Sequence, residues 1–336
     1  MIPSPPATGQ HAPRWQHALR EAFTRPADLL AYLELDPSLP ALAPALEREF
    51  PLRVPRGYAA RMRKADARDP LLLQVWPRPD EGIEVPGFAL DAVGDLQRLR
   101  DGGVIHKYEG RVLVMATGAC AVHCRFCFRR HFPYGEHLAA RDHWRAALRT
   151  IAADASIREV ILSGGDPLSL TDDKLAELAD ALDAIPHLRR LRIHTRQPIV
   201  LPERIDERLL AWLGRGRLQK IVVLHANHPN ELDAAVASAM LALRRLGITL
   251  LNQTVLLRNV NDDADTLVRL SERLSEYGIL PYYLHLLDRV RGTAHFEVAE
   301  TAARELMRAM HARLPGYLVP RLVREEPGRT SKTPIA

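Results

Sequence analysis

Gly118-Ala119-Cys120-Ala121-Val122-His123-Cys124-Arg125-Phe126-Cys127-Phe128-Arg129-Arg130 contains every cysteine of the chain, in the spacing C-x3-C-x2-C. Three thiolates can hold three irons of a cubane [4Fe-4S] cluster, whereas a cluster that only transfers electrons is usually held by four. The fourth iron is then open to a substrate or cofactor. Two plainer readings compete: a structural zinc site, and thiols that are merely buried. Zinc asks for a fourth ligand; His123 lies inside the run but is poorly spaced to serve, and no second Cys/His cluster follows downstream. The spacing favours Cys120, Cys124 and Cys127 as cluster ligands.

Working outward, the run follows directly on a β-branched stretch, and from Arg111 onward such stretches alternate with amphipathic helical patterns. Strands are expected at 112–116, 159–163, 190–195, 220–226, 249–256 and 281–287. Helices are expected near 143–153, 172–184, 203–214, 231–246 and 263–277. Six β-α units in succession favour an incomplete (β/α)6 barrel over an open doubly wound sheet, although periodicity alone leaves both open. Upstream, from Trp15 to about Asp101, short helical segments are broken by Pro26, Pro37, Pro40, Pro51 and Pro55, without strand alternation. The chain therefore divides into an N-terminal helical region (1–104), the partial barrel (105–290) and a C-terminal segment (291–336).

In either architecture ligands belong at the C-terminal ends of the strands. Polar motifs recur there: Ser163-Gly164-Gly165-Asp166-Pro167 after the second strand, His194-Thr195-Arg196-Gln197-Pro198 after the third and His225 to Asn230 after the fourth. Asn252-Gln253-Thr254 lies along the fifth and Asp288 follows the sixth. A single GGD would read as a tight turn. Polar side chains at five consecutive strand ends are hard to explain as structure alone.

The 336 residues can bury a full core, and the formal charge of +5 comes mostly from dispersed arginine. No dense basic tract points to nucleic acid, no run of eighteen apolar residues points to a membrane, and no apolar leader opens the chain. Clustered thiols agree with a reducing compartment, so a cytoplasmic location is expected. Lysine is scarce: only Lys64, Lys107, Lys174, Lys220 and Lys332 occur. Because an amine forms Schiff bases and a guanidinium does not, each surviving lysine draws attention.

With these motifs in order, the sequence resembles the lysine 2,3-aminomutase family of radical S-adenosylmethionine (SAM) enzymes, from about residue 55 to the C-terminus. The blocks that carry the resemblance are His106-Lys107-Tyr108 to Arg111, the cysteine run, Ser163 to Leu168, His225 to Glu231, Asn252 to Asp262, Pro281 to Asp288 and Lys332-Thr333-Pro334. Within the family it looks most like the elongation factor P β-lysylation branch, which makes β-lysine for attachment to that translation factor by a separate ligase.

The resemblance implies a radical SAM partial barrel with a [4Fe-4S] cluster on Cys120, Cys124 and Cys127, and SAM chelated at the open iron. Pyridoxal phosphate (PLP) would be attached to Lys332. Arg111, Gln253 and Lys107 would hold the PLP phosphate, with Lys107 standing where the family often has arginine. Arg129 would bind the substrate carboxylate, and Asp288 with Glu325 the substrate ε-ammonium; the free-standing lysine enzymes carry aspartate at the place of Glu325. Gly164, Gly165, Asp166, Arg196 and His225 would cradle SAM. The substrate implied is L-lysine, with a flavodoxin- or ferredoxin-like reductant and the ligase as partners. Self-association into a homo-oligomer stays open.

Moving an amine from C2 to C3 requires loss of an unactivated C3 hydrogen, for which side-chain acid-base chemistry is ill suited. The cofactors do that chemistry and the protein positions the substrate. Acids at the far end of the clamp argue against a glutamate aminomutase. Taken alone, Lys332 would read as a solvated tail lysine, Asp288 and Glu325 as surface carboxylates, and Arg129 as an ion-pair partner of the cysteine loop. The competing functions are a free-standing amino acid 2,3-aminomutase of metabolism and an iron-sulfur protein without radical chemistry.

Overall fold

The computed structural model describes residues 13–39, 44–142 and 144–335. One ten-stranded sheet runs in chain order through β1 (Leu99–Arg100), β2 (Val104–Tyr108), β3 (Arg111–Thr117), β4 (Glu159–Gly164) and β5 (Arg190–Thr195). It continues through β6 (Gln219–Leu224), β7 (Thr249–Val255), β8 (Leu280–His285), β9 (Arg321–Arg324) and β10 (Thr333–Pro334). From β3 to β9 every neighbouring pair is parallel. The antiparallel pairs β1·β2, β2·β3 and β9·β10 sit at the two edges.

The alternation along each strand explains both faces. On β5, Leu191 and Ile193 join a core with Leu175, Leu178 and Trp212 of the covering helices. The intervening Arg190, Arg192 and His194 line a central cavity of about 1870 Å³. On β7, Leu250 faces that same helix-covered core, while Leu251, Gln253 and Val255 line the cavity. A sheet whose strands β2 to β9 all turn residues onto one cavity is wrapped around it, and this is the partial barrel. Each fully buried Leu or Ile on the outer face contributes about 1.5–3 kcal/mol, which leaves the inner face free to be polar.

The six expected barrel strands correspond to β3 through β8, and their helices to Arg145–Ala152, Asp172–Asp183, Glu207–Leu213, Ala234–Arg245 and Ala264–Glu276. The beginning of the first expected helix, at 143, lies outside the described residues. The structure adds β2 and the helix Glu300–Arg313. In β2 only Val104 and Ile105 are apolar, so no alternation announces it; its pairing is supplied by the two-residue turn Glu109-Gly110, with Gly110 at φ +72°. Among the described residues no helix is long and apolar enough to cross a membrane.

The N-terminal region has Pro26 and Pro70 at helix starts, where a missing N–H costs nothing, while its β1 falls inside the stretch expected to be without strands. Its core of Trp15, Phe23, Leu29, Tyr58 and Leu71 also takes in Ala121 and Val122 of the cysteine run. The helical region is thus the outer wall of the cysteine loop.

Candidate active site

Every site residue named from the sequence lines the one central cavity, from the cysteines at the strand ends to Lys332 near the C-terminus. The cysteine run leaves β3 and is laced at its root to the end of β4. Gly165 N donates to Thr117 O at 2.6 Å and Asp166 N to Ala119 O at 2.8 Å. A Cβ on Gly164 would stand 2.6 Å from Thr117 O, and one on Gly165 2.5 Å from Ala119 O, so this approach of two backbones admits only glycine.

Farther along, the loop is held by ions. Glu81 takes Arg125 Nε at 2.8 Å and Nη2 at 2.5 Å, and also Arg130 Nη2 at 2.8 Å. Arg125 is fully buried and donates in addition to Phe50 O at 2.7 Å. The thiols face the cavity between these clamps. Burial raises all three, Cys127 to about 11, and the neighbouring sulfurs raise Cys120 and Cys127 further. Three thiols that resist ionisation together fit a cationic iron core, which supplies the missing charge. Among the described residues no three His, Cys, Asp or Glu side chains converge on a single ion. A cubane, which takes one thiolate at each of three irons, does not need that convergence.

Next to the loop, Arg196 is 5% exposed: Nη1 donates to Cys124 Sγ at 2.8 Å, and Nη2 to Glu231 Oε2 at 2.8 Å and Gln74 Oε1 at 2.7 Å, while Nε is buried without a hydrogen-bond partner. Asp166 accepts from Thr195 Oγ1 at 2.7 Å and from the backbone N–H of Leu168, Arg196 and Gln197. Its carboxylate ties the end of β4 to the end of β5. Gln253 Nε2 donates to His225 Nε2 at 2.9 Å, which requires a neutral imidazole; burial, with Arg196, Arg129 and Lys332 nearby, pushes His225 down to about 3.

On the other side of the cavity lies a chain of charges. Lys332 Nζ donates to Glu325 Oε2 at 2.8 Å, and the Tyr108 hydroxyl donates to Glu325 Oε1 at 2.5 Å. Lys107 Nζ stands 3.6 Å from the same Oε1 and bonds Asp95 Oδ1 at 2.6 Å, while Asp95 Oδ2 accepts from Arg129 Nε at 2.7 Å. Arg129 Nη1 reaches Ser163 Oγ at 3.0 Å, and the Arg111 guanidinium lies 4.6 Å from the centre of the Tyr108 ring. Burial raises Asp288 to about 7; Lys332 opposes that shift and Glu325 adds to it. Glu325 is also partly buried, yet the Lys332 cation and the bonds from Lys332 and Tyr108 hold it below the usual carboxylate range.

The residues missed in the sequence are the partners: Glu81, Asp95, Tyr108, Gln74 and Glu231. Two arginines five apart around the cysteines, Arg125 and Arg130, signal that some acid is needed. Nothing local says which.

Residues 114–271 match the family model described as Radical SAM superfamily. The L-lysine 2,3-aminomutase of Escherichia coli (strain K12) is 48% identical over 322 residues, 96% of this chain and 94% of that protein. The L-lysine 2,3-aminomutase of Haemophilus influenzae is 45% identical over 319 residues, 95% of this chain and 94% of that protein. A radical SAM methyltransferase from Sphaerobacter thermophilus superposes with TM-score 0.48 at 16% identity, covering 64% of this chain and 66% of its own. With three thiols and an ionic chain around one barrel cavity, and with relatives this similar along nearly its whole length, the chain belongs to the lysine 2,3-aminomutase family of radical SAM enzymes.

Proposed function

We propose that this chain isomerises L-lysine to β-lysine by radical 2,3-amino migration, with PLP carried on Lys332, and that the product serves modification of elongation factor P. The observation that supports this reading most is the position of Lys332: the amine near the end of the chain enters the same cavity as the three cysteines and meets an acid there. The activity named for the Escherichia coli and Haemophilus influenzae relatives supports the same choice.

On this reading Arg129 binds the substrate carboxylate and Asp288 with Glu325 the ε-ammonium, a clamp that holds C3 in one place. Lys107, Arg111 and Gln253 hold the PLP phosphate. Gly164, Gly165 and His225 face SAM, while Asp166 and Arg196, whose side chains are engaged elsewhere, shape its pocket. The cluster with SAM supplies the hydrogen-abstracting radical and PLP the imine for nitrogen migration. The enzyme works in the cytoplasm with a flavodoxin- or ferredoxin-like reductant and a separate ligase.

The test is anaerobic reconstitution with iron, sulfide, SAM and PLP, followed by chromatography of the products from L-lysine. β-Lysine is expected, and a reconstituted, SAM-cleaving protein that makes none overturns the activity. Deleting the gene should remove the β-lysyl mass from elongation factor P; an unchanged mass overturns that role alone.

A further inference from the structure

Asp95 lies in the N-terminal region, outside every motif that marks the site, yet it is 2% exposed and lines the central cavity. Its two carboxylate oxygens are divided between two cations. Oδ1 takes Lys107 Nζ at 2.6 Å and Oδ2 takes Arg129 Nε at 2.7 Å. Those are the residues assigned to two different anions, the PLP phosphate and the substrate carboxylate.

The carboxylate is not free to move. Asp91 accepts from Asp95 N and from Leu96 N, both at 2.9 Å, which locks the loop at the base of the side chain. Gly94 packs so closely on the C-terminal segment that an added Cβ would stand 3.2 Å from Pro327 Cβ. That segment also carries Glu325 and Lys332. With Nε on Asp95 and Nη1 on Ser163 at 3.0 Å, two bonds from two separate elements fix the plane of the Arg129 guanidinium. A planar fork discriminates carboxylate geometry only while its plane is held. Lys107 is a point charge on a flexible stem, and its bonds to Asp95 and to Val93 O at 2.7 Å supply the direction that its own geometry lacks.

We propose that Asp95 is a positioning residue: it orients Arg129 for the substrate carboxylate and Lys107 for the cofactor phosphate, so that the two recognitions share one anchor. The proposal rests on the lysine reading above. Burial alone would raise the Asp95 carboxyl, but the two cations and their hydrogen bonds hold it below the usual range, so the anchor is charged at neutral pH. An asparagine could accept from one cation and would have to present its NH2 to the other. Asp95→Asn therefore breaks one of the two contacts while keeping the shape.

The experiment is calorimetric titration of the reconstituted, unreduced holoprotein with L-lysine and with 1,5-diaminopentane, which is lysine without its carboxylate. Wild type should prefer L-lysine. In Asp95→Asn, L-lysine binding should weaken roughly ten- to a hundredfold, the scale of one charge-assisted hydrogen bond, with 1,5-diaminopentane unchanged. Equal weakening of both ligands at unchanged PLP content, or weakening of neither, overturns the role of Asp95. If Asp95→Asn does not hold its cluster, Asp95→Glu keeps the charge and should show a smaller, still lysine-specific loss. Loss of iron from both variants makes Asp95 a packing residue and overturns the proposal. A wild-type protein that binds both ligands equally refutes the lysine reading itself, whereas a preserved preference in Asp95→Asn refutes only the anchor.

Discussion

Lys332 Nζ lies 2.8 Å from Glu325 Oε2, so the lysine proposed to carry PLP is held by an acid proposed to receive the substrate ammonium. An acid that serves both groups should be sensitive to reach. Glu325→Asp keeps the charge and should retain lysine as substrate while altering rate or product handedness, as read by chiral chromatography. Glu325→Ala should lose roughly one to two decades of kcat/KM, the scale of a charge-assisted hydrogen bond. Unchanged turnover and stereochemistry in Glu325→Ala would reduce the contact to an incidental ion pair.

The site of PLP attachment can be read directly. Borohydride reduction followed by peptide mass spectrometry should place the cofactor on the C-terminal peptide containing Lys332. Lys332→Ala should lose the covalent link while keeping some cofactor through Lys107, Arg111 and Gln253. Recovery of the label on Lys64, Lys107, Lys174 or Lys220 would overturn the assignment.

Replacing any one of Cys120, Cys124 or Cys127 by Ala should abolish both the [4Fe-4S] absorption and SAM cleavage. Three thiolates leave one iron accessible, so air should inactivate the wild type. A variant with full turnover would remove the radical chemistry from this chain.

Glu81 holds two guanidiniums of the cysteine loop, and its side chain is nearly inaccessible. Removing one partner of a buried ionic pair costs about 3–5 kcal/mol, because the remaining charges stay buried without compensation. Glu81→Gln should lower Tm and iron content together. Unaltered melting with a full complement of iron would show that the loop is held by the packing of its Ala121 and Val122 on the N-terminal core instead.

Asp288, raised to about 7 by burial, is protonated below that pH and cannot then pair with an ammonium. The value of kcat/KM for L-lysine should fall as pH drops through about 7, by roughly tenfold per unit well below it. Asp288→Asn should show that loss at every pH and a flattened acidic limb. An acidic limb that survives the substitution would belong to another group.

The sequence by itself marked the three cysteines as the proposed cluster ligands, because metal spacing is local, and it determined the six parallel strands, because alternation of apolar residues is local too. The strand 190–195 was legible to the residue. It left β2 unread, since that strand is specified by its hairpin partner and carries little alternation of its own. Only the tertiary structure decided which charges meet. Arg125 found Glu81 44 residues away, and Tyr108 found Glu325 217 residues away. With 41 acidic residues in the chain, spacing cannot name the partner of a buried cation. That choice is made when sheet closure brings a remote loop into a cavity where an unpaired charge would be costly, as it does for Asp95 between Lys107 and Arg129.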